Sequence, residues 1–442
     1  MNDPLPWGEG GQRPGEGRLR NGKNGMNLTE RNGKTCLRDI CFEDIAARYG
    51  TPLYLYDLET VREKCAAIRR AFGDSLELLY AVKANPNREL LSAMRSEVDG
   101  LDIASAGELD RAVAAGYDPA CISFAGPGKT RDELRRSLEA GIGCISVESL
   151  RELHDLRELV RAGAPRASIM IRVNPRLLVK EFAVKMGGKA SQFGIDEEEL
   201  SSAVDFVRAN VDAFDFKGIH IYAGTQCLSE EPLAQNLANT LAIAARVTNE
   251  YGMECRAINI GGGFGVYYYE EHAGLDLGKL AALYRAEFDR YREATGKNPR
   301  FVLELGRFLV ADAGIYVTRV VSEKQSRGEQ FYVLDGGMNH HLSASGNLGM
   351  TIRKNYLVRN LSRPGAPKQT CTLVGPLCTP LDMMGKGVSV ETPVVGDLIG
   401  FLNSGSYGYS ASPLLFLGHG EPCELLVTEG EIRSARTGQG AD

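Results

Sequence analysis

The sequence predicts an α/β protein made of a (β/α)8 TIM barrel followed by a mainly antiparallel β-barrel or β-sandwich domain. Two observations predict it. From about residue 76, short β-rich runs alternate with longer helical stretches. After Arg307, short β-like runs separated by Gly, Pro and Asn dominate. The length of 442 residues also suits two large units better than one core.

The first part of the chain contains eight β-rich runs, and this number favours a closed barrel over the alternative of a doubly wound open sheet. The predicted barrel strands are Leu76–Val82, Leu101–Ala104, Cys121–Ala125, Cys144–Val147, Ile169–Val173, Gly218–Tyr222, Ala257–Ile260 and Phe301–Glu304. Helix-like segments lie between them, such as Arg131–Ala140, Glu148–Ala162, Glu198–Asn210 and Pro232–Tyr251.

The change of texture after the barrel predicts four segments along the chain. We expect residues 1–25 to be a disordered extension, or to precede a true start at Met26, because they are rich in Gly, Pro, Arg and Glu. Residues 26–57 should contribute to the β domain through Leu53–Tyr56, residues 58–310 should form the barrel, and residues 311–442 the β domain. The predicted strands of that domain are Ile315–Val321, Phe331–Leu334, Thr372–Val374, Asp397–Leu402 and Glu424–Val427.

Composition excludes several classes of protein. The net charge of −6 argues against nucleic acid or an anionic membrane surface as a partner. No apolar run approaches the roughly 20 residues that span a bilayer, and the N-terminus lacks the apolar middle of a secretory signal. The ten cysteines include no Cys-x-x-Cys pair, so we expect neither a zinc site nor a disulfide scaffold. A reduced, cytoplasmic setting fits best.

Polar residues follow three of the predicted barrel strands, at the end where such barrels carry their active sites. Lys83 follows the first strand, Gly261-Gly262-Gly263 ends the seventh, and Glu304 and Arg307 end the eighth. Each has an ordinary alternative: a lysine whose amine extends to solvent, a simple turn, and a surface ion pair. Together, however, they predict a pyridoxal phosphate site. The aldehyde requires a lysine amine, the phosphate requires backbone donors, and the ring nitrogen requires an anion.

Six motifs occur in the order found in one enzyme family. They are Tyr80-Ala-Val-Lys83, Asp102-Ile-Ala-Ser-Ala-Gly-Glu108, Gly261-Gly-Gly, Glu304-x-Gly-Arg307, Gly375-Pro-x-Cys378 and Gly405-Ser-Tyr407. Over roughly residues 40 to 430 the chain resembles the fold III pyridoxal-phosphate-dependent decarboxylases, which include diaminopimelate, ornithine and arginine decarboxylases. The resemblance implies an enzyme that removes the α-carboxylate of an amino acid.

The resemblance also implies roles for individual residues. Lys83, Glu304 and Cys378 would be catalytic, and Cys378 would reach the site from the partner subunit of a homodimer. The cofactor would be held by Lys83, Asp102, Arg172, Tyr222, Thr225, Gly261, Gly262, Gly263, Glu304, Gly306, Arg307 and Tyr407. The substrate would be bound by Arg307, Arg353, Tyr356, Thr379 and Tyr407.

Three departures from the family pattern bear on the substrate. Tyr222 stands where the family usually has a histidine on the ring face, and an aromatic ring can still stack there. Cys378 is followed by Thr379 and Pro380, whereas diaminopimelate and ornithine decarboxylases have an acid that binds the distal amine. Asn339-His340-His341 is unlike the usual diaminopimelate pattern.

These departures resemble the subgroup that acts on glutamyl groups carried by an acyl carrier protein. The segments that resemble it are Ile219-His220-Ile221-Tyr222, Val184-Lys185-Met186-Gly187-Gly188, Ser191-Gln192-Phe193-Gly194 and Gly375-Pro-Leu-Cys-Thr-Pro380. A carrier-bound glutamyl group is therefore the predicted substrate, and the carrier protein a partner. Diaminopimelate decarboxylase is the alternative, followed by an amino-acid racemase and a non-catalytic homologue. We expect no metal at His340 and His341, since no third ligand has suitable spacing.

Overall fold

The computed structural model describes residues 17–20, 25–177, 182, 184–185, 188–268, 274–348 and 354–436. Eight parallel strands form a closed barrel, because each pairs with the next along the chain and the eighth pairs with the first. The predicted barrel is thus confirmed. Its strands are Glu77–Ala81, Gly100–Ile103, Ile122–Phe124, Cys144–Val147, Ala167–Asn174, Phe214–His220, Ala257–Gly262 and Arg300–Leu305.

The helices between the barrel strands begin and end where the sequence provides caps. Thr130 and Glu133 form a reciprocal capping box at the start of Arg131–Ala140, and Gly141 ends that helix in a left-handed conformation. The helices on the barrel are Leu58–Phe72, Arg88–Met94, Ala106–Ala114, Arg131–Ala140, Leu150–Arg161, Leu200–Ala209, Glu230–Asn249 and Leu277–Thr295. Two further helices are Phe42–Tyr49 and Arg307–Val310. In the described part of the chain, no helix is long and apolar enough to cross a membrane.

Two strand ends differ from the prediction in a way that matters for the site. The first strand ends at Ala81 and not at Val82, so Lys83 lies in the middle of a short 3₁₀ turn, Val82–Ala84. The sixth strand ends at His220, so Tyr222 lies in the loop that follows. Both side chains therefore stand just above the ends of their strands, at the mouth of the barrel.

The second unit is a nine-stranded sheet. Its strands are Leu53–Asp57, Gly314–Ser326, Glu329–Leu334, Val358–Asn360, Lys368–Val374, Met383–Glu391, Leu398–Phe401, Cys423–Thr428 and Glu431–Arg436. Leu53–Asp57 pairs antiparallel with Gly314–Ser326 and parallel with Cys423–Thr428. The early segment thus lies inside this sheet. Glu329–Leu334 and Lys368–Val374 form a second parallel pair, and the other pairings are antiparallel.

The N-terminal segment forms a small sheet in addition to its strand in the large sheet. Strands Gly17–Arg20, Asn27–Arg31, Lys34–Leu37 and Ile40–Cys41 form a sheet of their own, and only Leu53–Asp57 joins the large sheet. The expected disorder was therefore wrong for residues 17–20, while residues 1–16 and 21–24 lie outside the described residues.

The expectation about the cysteines also needs one correction. Cys36 and Cys41 face each other across two paired strands and form a disulfide. The absence of Cys-x-x-Cys spacing was the wrong criterion for excluding a disulfide, because the pairing of two strands brings together cysteines five residues apart. The other eight cysteines, all of which the structure describes, form no disulfide within the chain.

Candidate active site

Lys83 and Asp102 meet at the mouth of the barrel. The Lys83 Nζ lies 3.4 Å from Oδ2 of Asp102, whose carboxylate is buried at the end of the second strand. The lysine side chain is 43 % exposed, so its amine is accessible. Desolvation favours the neutral amine, but Asp102, Tyr407, Tyr222 and Glu304 together outweigh desolvation and raise the pKa of Lys83. Both residues were predicted to bind the cofactor, and the structure places them side by side at the ends of the first two barrel strands.

Gly261 and Gly262 end the seventh strand and Gly263 follows it, and this glycine loop leaves no room for side chains. A Cβ on Gly262 would lie 1.8 Å from the Glu304 carbonyl oxygen, and one on Gly263 would lie 2.3 Å from the Gly224 carbonyl oxygen. Gly261 and Gly263 also have left-handed φ values of +65° and +88°. The loop therefore packs backbone against backbone, and Gly263 also forms part of the wall of a cavity, where backbone donors could face a phosphate.

Glu304 is a buried carboxylate held from two sides. Its Oε2 lies 3.5 Å from Nε2 of His220, and its Oε1 accepts a hydrogen bond from the Asn259 side chain. Burial raises the pKa of Glu304, but His220, Lys83 and Asn259 outweigh burial and lower it to about 2. The carboxylate is therefore ionised at neutral pH, as a partner for a protonated ring nitrogen must be.

His220 and Asn259 are the main residues that sequence reasoning missed. Both are at most 1 % exposed, on neighbouring barrel strands, and Cα atoms of the two residues are paired in register. The sequence does contain a signal for both site residues, because each is a polar residue between two isoleucines on an otherwise apolar strand. Buried polar side chains at such positions are held by partners, and here the partner is the site carboxylate.

Tyr222 and Thr225 lie on the loop after the sixth strand. The Tyr222 ring centroid is 5.8 Å from the Lys83 Nζ, a cation–π distance. Both residues line one cavity together with Lys83, Gly263, Glu304, Leu305, Gly306, Arg307 and Tyr407. This cavity brings together members of the three motifs that predicted the cofactor.

Arg307 and Tyr407 close one side of the cavity. The guanidinium of Arg307 stacks 4.5 Å from the centroid of the Tyr407 ring, and its NH1 donates a hydrogen bond of 2.9 Å to the Tyr268 hydroxyl. Tyr407 is held at a left-handed φ of +52° and donates its backbone N–H to the Ala84 carbonyl. Tyr268 was missed by the sequence prediction. Tyr356, a predicted substrate residue, is buried with its ring 5.0 Å from that of Tyr268.

Arg172 is buried on the fifth strand and is bound by another residue that the prediction missed. Its NH1 donates a 2.7 Å hydrogen bond to Oε1 of Glu148. Glu148 also accepts backbone hydrogen bonds from Gly126 and Gly194. A buried arginine requires such a carboxylate, and Glu148 therefore fixes the position of Arg172.

A second opening begins at Lys83. This cleft has a volume of about 440 Å³, and Lys83 belongs to its wall as well as to the wall of the first cavity. The remaining residues of the cleft wall are Asn85, Pro86, Asn87, Ser105, Gly107, Glu108, Arg111, Tyr409, Ser410, Ala411, Ser412, Leu414 and Glu424. The cleft is mostly polar and leads from the lysine toward the surface, where Arg111 is exposed.

Cys378 and Thr379 are not brought to the site within one chain. They lie on the loop between Lys368–Val374 and Met383–Glu391, where Cys378 is exposed. Neither residue lines the cavity or the cleft at Lys83. The loop itself is well held, because buried Asp382 accepts hydrogen bonds from the Leu377 and Met338 backbone N–H groups. Arg353 lies outside the described residues.

His340 and His341 have protein partners. His340 Nε2 lies 3.0 Å from the Gly420 carbonyl oxygen, and His341 Nε2 is hydrogen-bonded to Ser404 Oγ at 2.9 Å. Burial lowers the pKa of His341 to about 3, so its ring is neutral at pH 7. Among the residues that the structure describes, no group of three potential metal ligands occurs.

A lysine amine, a glycine loop without room for side chains and an ionised buried carboxylate around one cavity define a pyridoxal-phosphate enzyme of the barrel type. Comparison with known proteins gives the family. Residues 58–311 match the model of the pyridoxal-dependent decarboxylases, pyridoxal binding domain. The chain belongs to this family, and it is a PLP-dependent amino-acid decarboxylase, as the six motifs predicted.

Three relatives cover nearly the whole chain. The L-glutamyl-[BtrI acyl-carrier protein] decarboxylase of Niallia circulans is 38 % identical and covers 90 % of this chain and 94 % of its own. The diaminopimelate decarboxylase of Pseudomonas aeruginosa is 33 % identical, covering 90 % and 92 %. Among solved structures, diaminopimelate decarboxylase from Helicobacter pylori complexed with L-lysine is 28 % identical, covers 90 % and 96 %, and superposes with a TM-score of 0.81.

Proposed function

We propose that the enzyme decarboxylates a glutamyl group that an acyl carrier protein presents as a thioester. The observation that carries this proposal is the segment Cys378-Thr379-Pro380, which has a hydroxyl where the resemblance to diaminopimelate decarboxylases would require an acid. Burying the distal ammonium of diaminopimelate without an anion costs several kcal/mol. A neutral thioester arm carries no such cost. The relative at 38 % identity, which acts on a carrier-borne glutamyl group, supports the same substrate.

The cleft at Lys83 supports a substrate longer than a free amino acid. Its volume of about 440 Å³ lies within the range typical of ligand pockets. This space is separate from the cavity that Gly263 and Glu304 line. The reacting end of the substrate would lie at Lys83, and its arm would extend through the cleft toward Arg111. Arg111 offers an exposed cation to a phosphate on the arm.

Different residues of the cavity would bind the cofactor and keep its ring nitrogen protonated. Lys83 would hold the cofactor through its amine, the glycine loop with Gly306, Thr225 and Tyr407 would bind the phosphate, and Glu304 would keep a proton on the ring nitrogen. When bound, pyridoxal phosphate supplies an electron sink for the pair released as the carboxylate leaves Cα.

The other predicted site residues would orient the two ligands. Asp102 would fix the Lys83 amine, Arg172 would lie near the ring, and Tyr222 would stack on the ring face. Arg307 would bind a carboxylate of the substrate, with Tyr356 at its side.

Cys378 would donate a proton to Cα, and it would do so from a second copy of the chain. Its exposed loop and its absence from the cavity of its own chain support a homodimer with shared sites. Thr379 would then contact the substrate arm in the same shared site. Arg353 keeps its predicted role in substrate binding as a proposal.

Diaminopimelate decarboxylation is the second candidate, and the relative at 33 % identity favours it. One comparison separates the two: CO2 release from a glutamyl-loaded carrier protein beside release from free meso-diaminopimelate, ornithine, lysine and arginine. We expect turnover of the loaded carrier protein and weak activity on the free diamino acids.

Thr379→Glu should improve the use of diaminopimelate by restoring an anion, and Thr379→Gln is the matched uncharged control. Efficient turnover of free diaminopimelate by the unmodified enzyme would contradict the carrier-borne substrate.

A further inference from the structure

The side chain of Asn259 connects two parts of the cofactor site. Its Nδ2 donates to Oε1 of Glu304, and its Oδ1 accepts a 2.9 Å hydrogen bond from the backbone N–H of Gly261. Glu304 lies where the ring nitrogen would bind, and Gly261 is the first residue of the glycine loop. The Asn259 side chain is almost fully buried, so water cannot replace these bonds without opening the site.

The amide of Asn259 makes both contacts without a change of protonation. The Gly261 N–H requires an acceptor, whereas the ionised Glu304 carboxylate requires a donor, so the orientation of the Asn259 amide is fixed by its partners. An aspartate could accept from Gly261, but it could donate to Glu304 only if it were protonated. Asn259 therefore has nearly the shape of an aspartate but no charge, at a position where a negative charge would repel the Glu304 carboxylate.

We propose that Asn259 is a positioning residue that holds the Glu304 carboxylate and the glycine loop in fixed relation, so that the ring and the phosphate of the cofactor find both partners preorganised. His220 supports the other oxygen of Glu304, and Ser146 Oγ is hydrogen-bonded to its Nδ1 at 3.0 Å. Asn259 thus connects one oxygen of Glu304 to the glycine loop, and His220 connects the other oxygen to Ser146 on the fourth barrel strand.

Asn259→Asp tests this link, because the variant keeps the shape and makes the contact to Glu304 depend on a proton. The new carboxyl would face Glu304 and His220 directly, with Lys83 and Asp102 as the next charged groups at the mouth. In its protonated form this carboxyl can donate as the amide does, but in its ionised form it repels Glu304. The measurement is the dissociation constant of pyridoxal phosphate, obtained by titrating the cofactor-free protein at pH 6 and at pH 9.

We expect the affinity of Asn259→Asp to lie within about threefold of the parent at pH 6 and to fall by about tenfold or more at pH 9, the range for a lost hydrogen bond to a charged group. Asn259→Ala removes both contacts without adding a charge, so it should weaken binding by a similar factor at both pH values. An Asn259→Asp profile parallel to that of the parent, or unchanged binding by Asn259→Ala, would overturn the proposal.

Asn210→Asp is the matched control. Asn210 is also buried, its Nδ2 donates to the Phe206 carbonyl, and it lies after helix Leu200–Ala209, away from the cavity. This variant should show the parent's pH profile of cofactor binding. If it showed the same loss at pH 9 as Asn259→Asp, the effect would be general destabilisation and the link would not explain it.

Discussion

The barrel mouth around Glu304 and the loop that carries Cys378 differ in how complete they are within one chain. Glu304 is buried, ionised and bound by His220 and Asn259. Cys378 is exposed, on a loop that is anchored at its base through Asp382. The difference teaches that the part of the site that binds the cofactor is preorganised by the barrel, whereas the proposed proton donor requires a further surface to become part of the site.

The largest expected effect concerns the preorganised part. Lys83→Ala should abolish covalent attachment of the cofactor and reduce decarboxylation to below about one thousandth, because the proposed covalent bond to the cofactor is formed by the Lys83 amine. The checks are the absorbance band of the bound cofactor and its irreversible attachment after borohydride reduction. Lys83→Arg is the control, since it keeps a positive charge beside Asp102 without a comparably nucleophilic amine. Persistence of reducible cofactor in Lys83→Ala would refute the assignment.

Glu304→Gln should lower kcat by about 100-fold or more while the protein still binds the cofactor, because a neutral amide no longer stabilises the charge on the ring nitrogen. The absorbance of the bound cofactor should then titrate at lower pH than in the parent. Asn339→Asp, a change at a buried asparagine of the β domain, is a control for the burial of altered charge. A kcat within about threefold of the parent would show that Glu304 has no such role.

The pH dependence of this carboxylate has a definite sign. Its pKa is lowered from 4.5 to about 2 in the folded protein, so its ionised form stabilises the fold above about pH 4.5, and this contribution is lost as the pH falls toward 2. Between pH 9 and pH 5 the difference in unfolding free energy between the parent and Glu304→Gln should therefore stay constant. Chemical denaturation across that range measures it, and a slope within this window would contradict the lowered pKa.

Cys378→Ala tests the incomplete part of the site. It should bind the cofactor normally but lose about 100-fold in activity, the usual contribution of a general acid. Mixing it with Lys83→Ala subunits should restore part of the activity, because each mixed dimer would contain one intact shared site. Cys121→Ala removes another exposed cysteine and should leave activity unchanged. Mixed dimers that stay inactive would place Cys378 outside the partner's site.

The smallest expected effect concerns the cleft. Arg111→Gln should raise KM for the carrier-borne substrate several-fold and leave kcat unchanged, because an exposed contact to a phosphate contributes about 1 kcal/mol. A glutamyl thioester that lacks the phosphate should show no change. Arg88→Gln, a nearby exposed arginine that is not part of the cleft wall, is the control. Equal effects on both substrates would argue against an arm in this cleft.

The sequence was most informative where one local pattern carries one physical requirement. Alternating strands and helices predicted the barrel. Lys83, the three glycines and Glu304 predicted the cofactor, because its aldehyde, phosphate and ring nitrogen each need a specific residue type at a strand end. The pattern was less informative at strand limits. Tyr222 was expected on the sixth strand, yet it follows that strand, and the first strand ends one residue before its predicted end at Val82, since the chain turns at the barrel mouth where strand pairing ends.

Only the tertiary structure decided which residues meet on strands that are far apart in the sequence but neighbours in the barrel. His220, Asn259 and Glu148 show their roles only when the barrel closes, because closure places them beside Glu304 and Arg172 in a buried interior. The Cys36–Cys41 bond likewise depends on two strands that pair. The sequence by itself determined which chemical groups the site contains. Only the tertiary structure decided which of them bear charge and which partners hold them, because burial and electrostatic contacts depend on neighbours far apart in the chain.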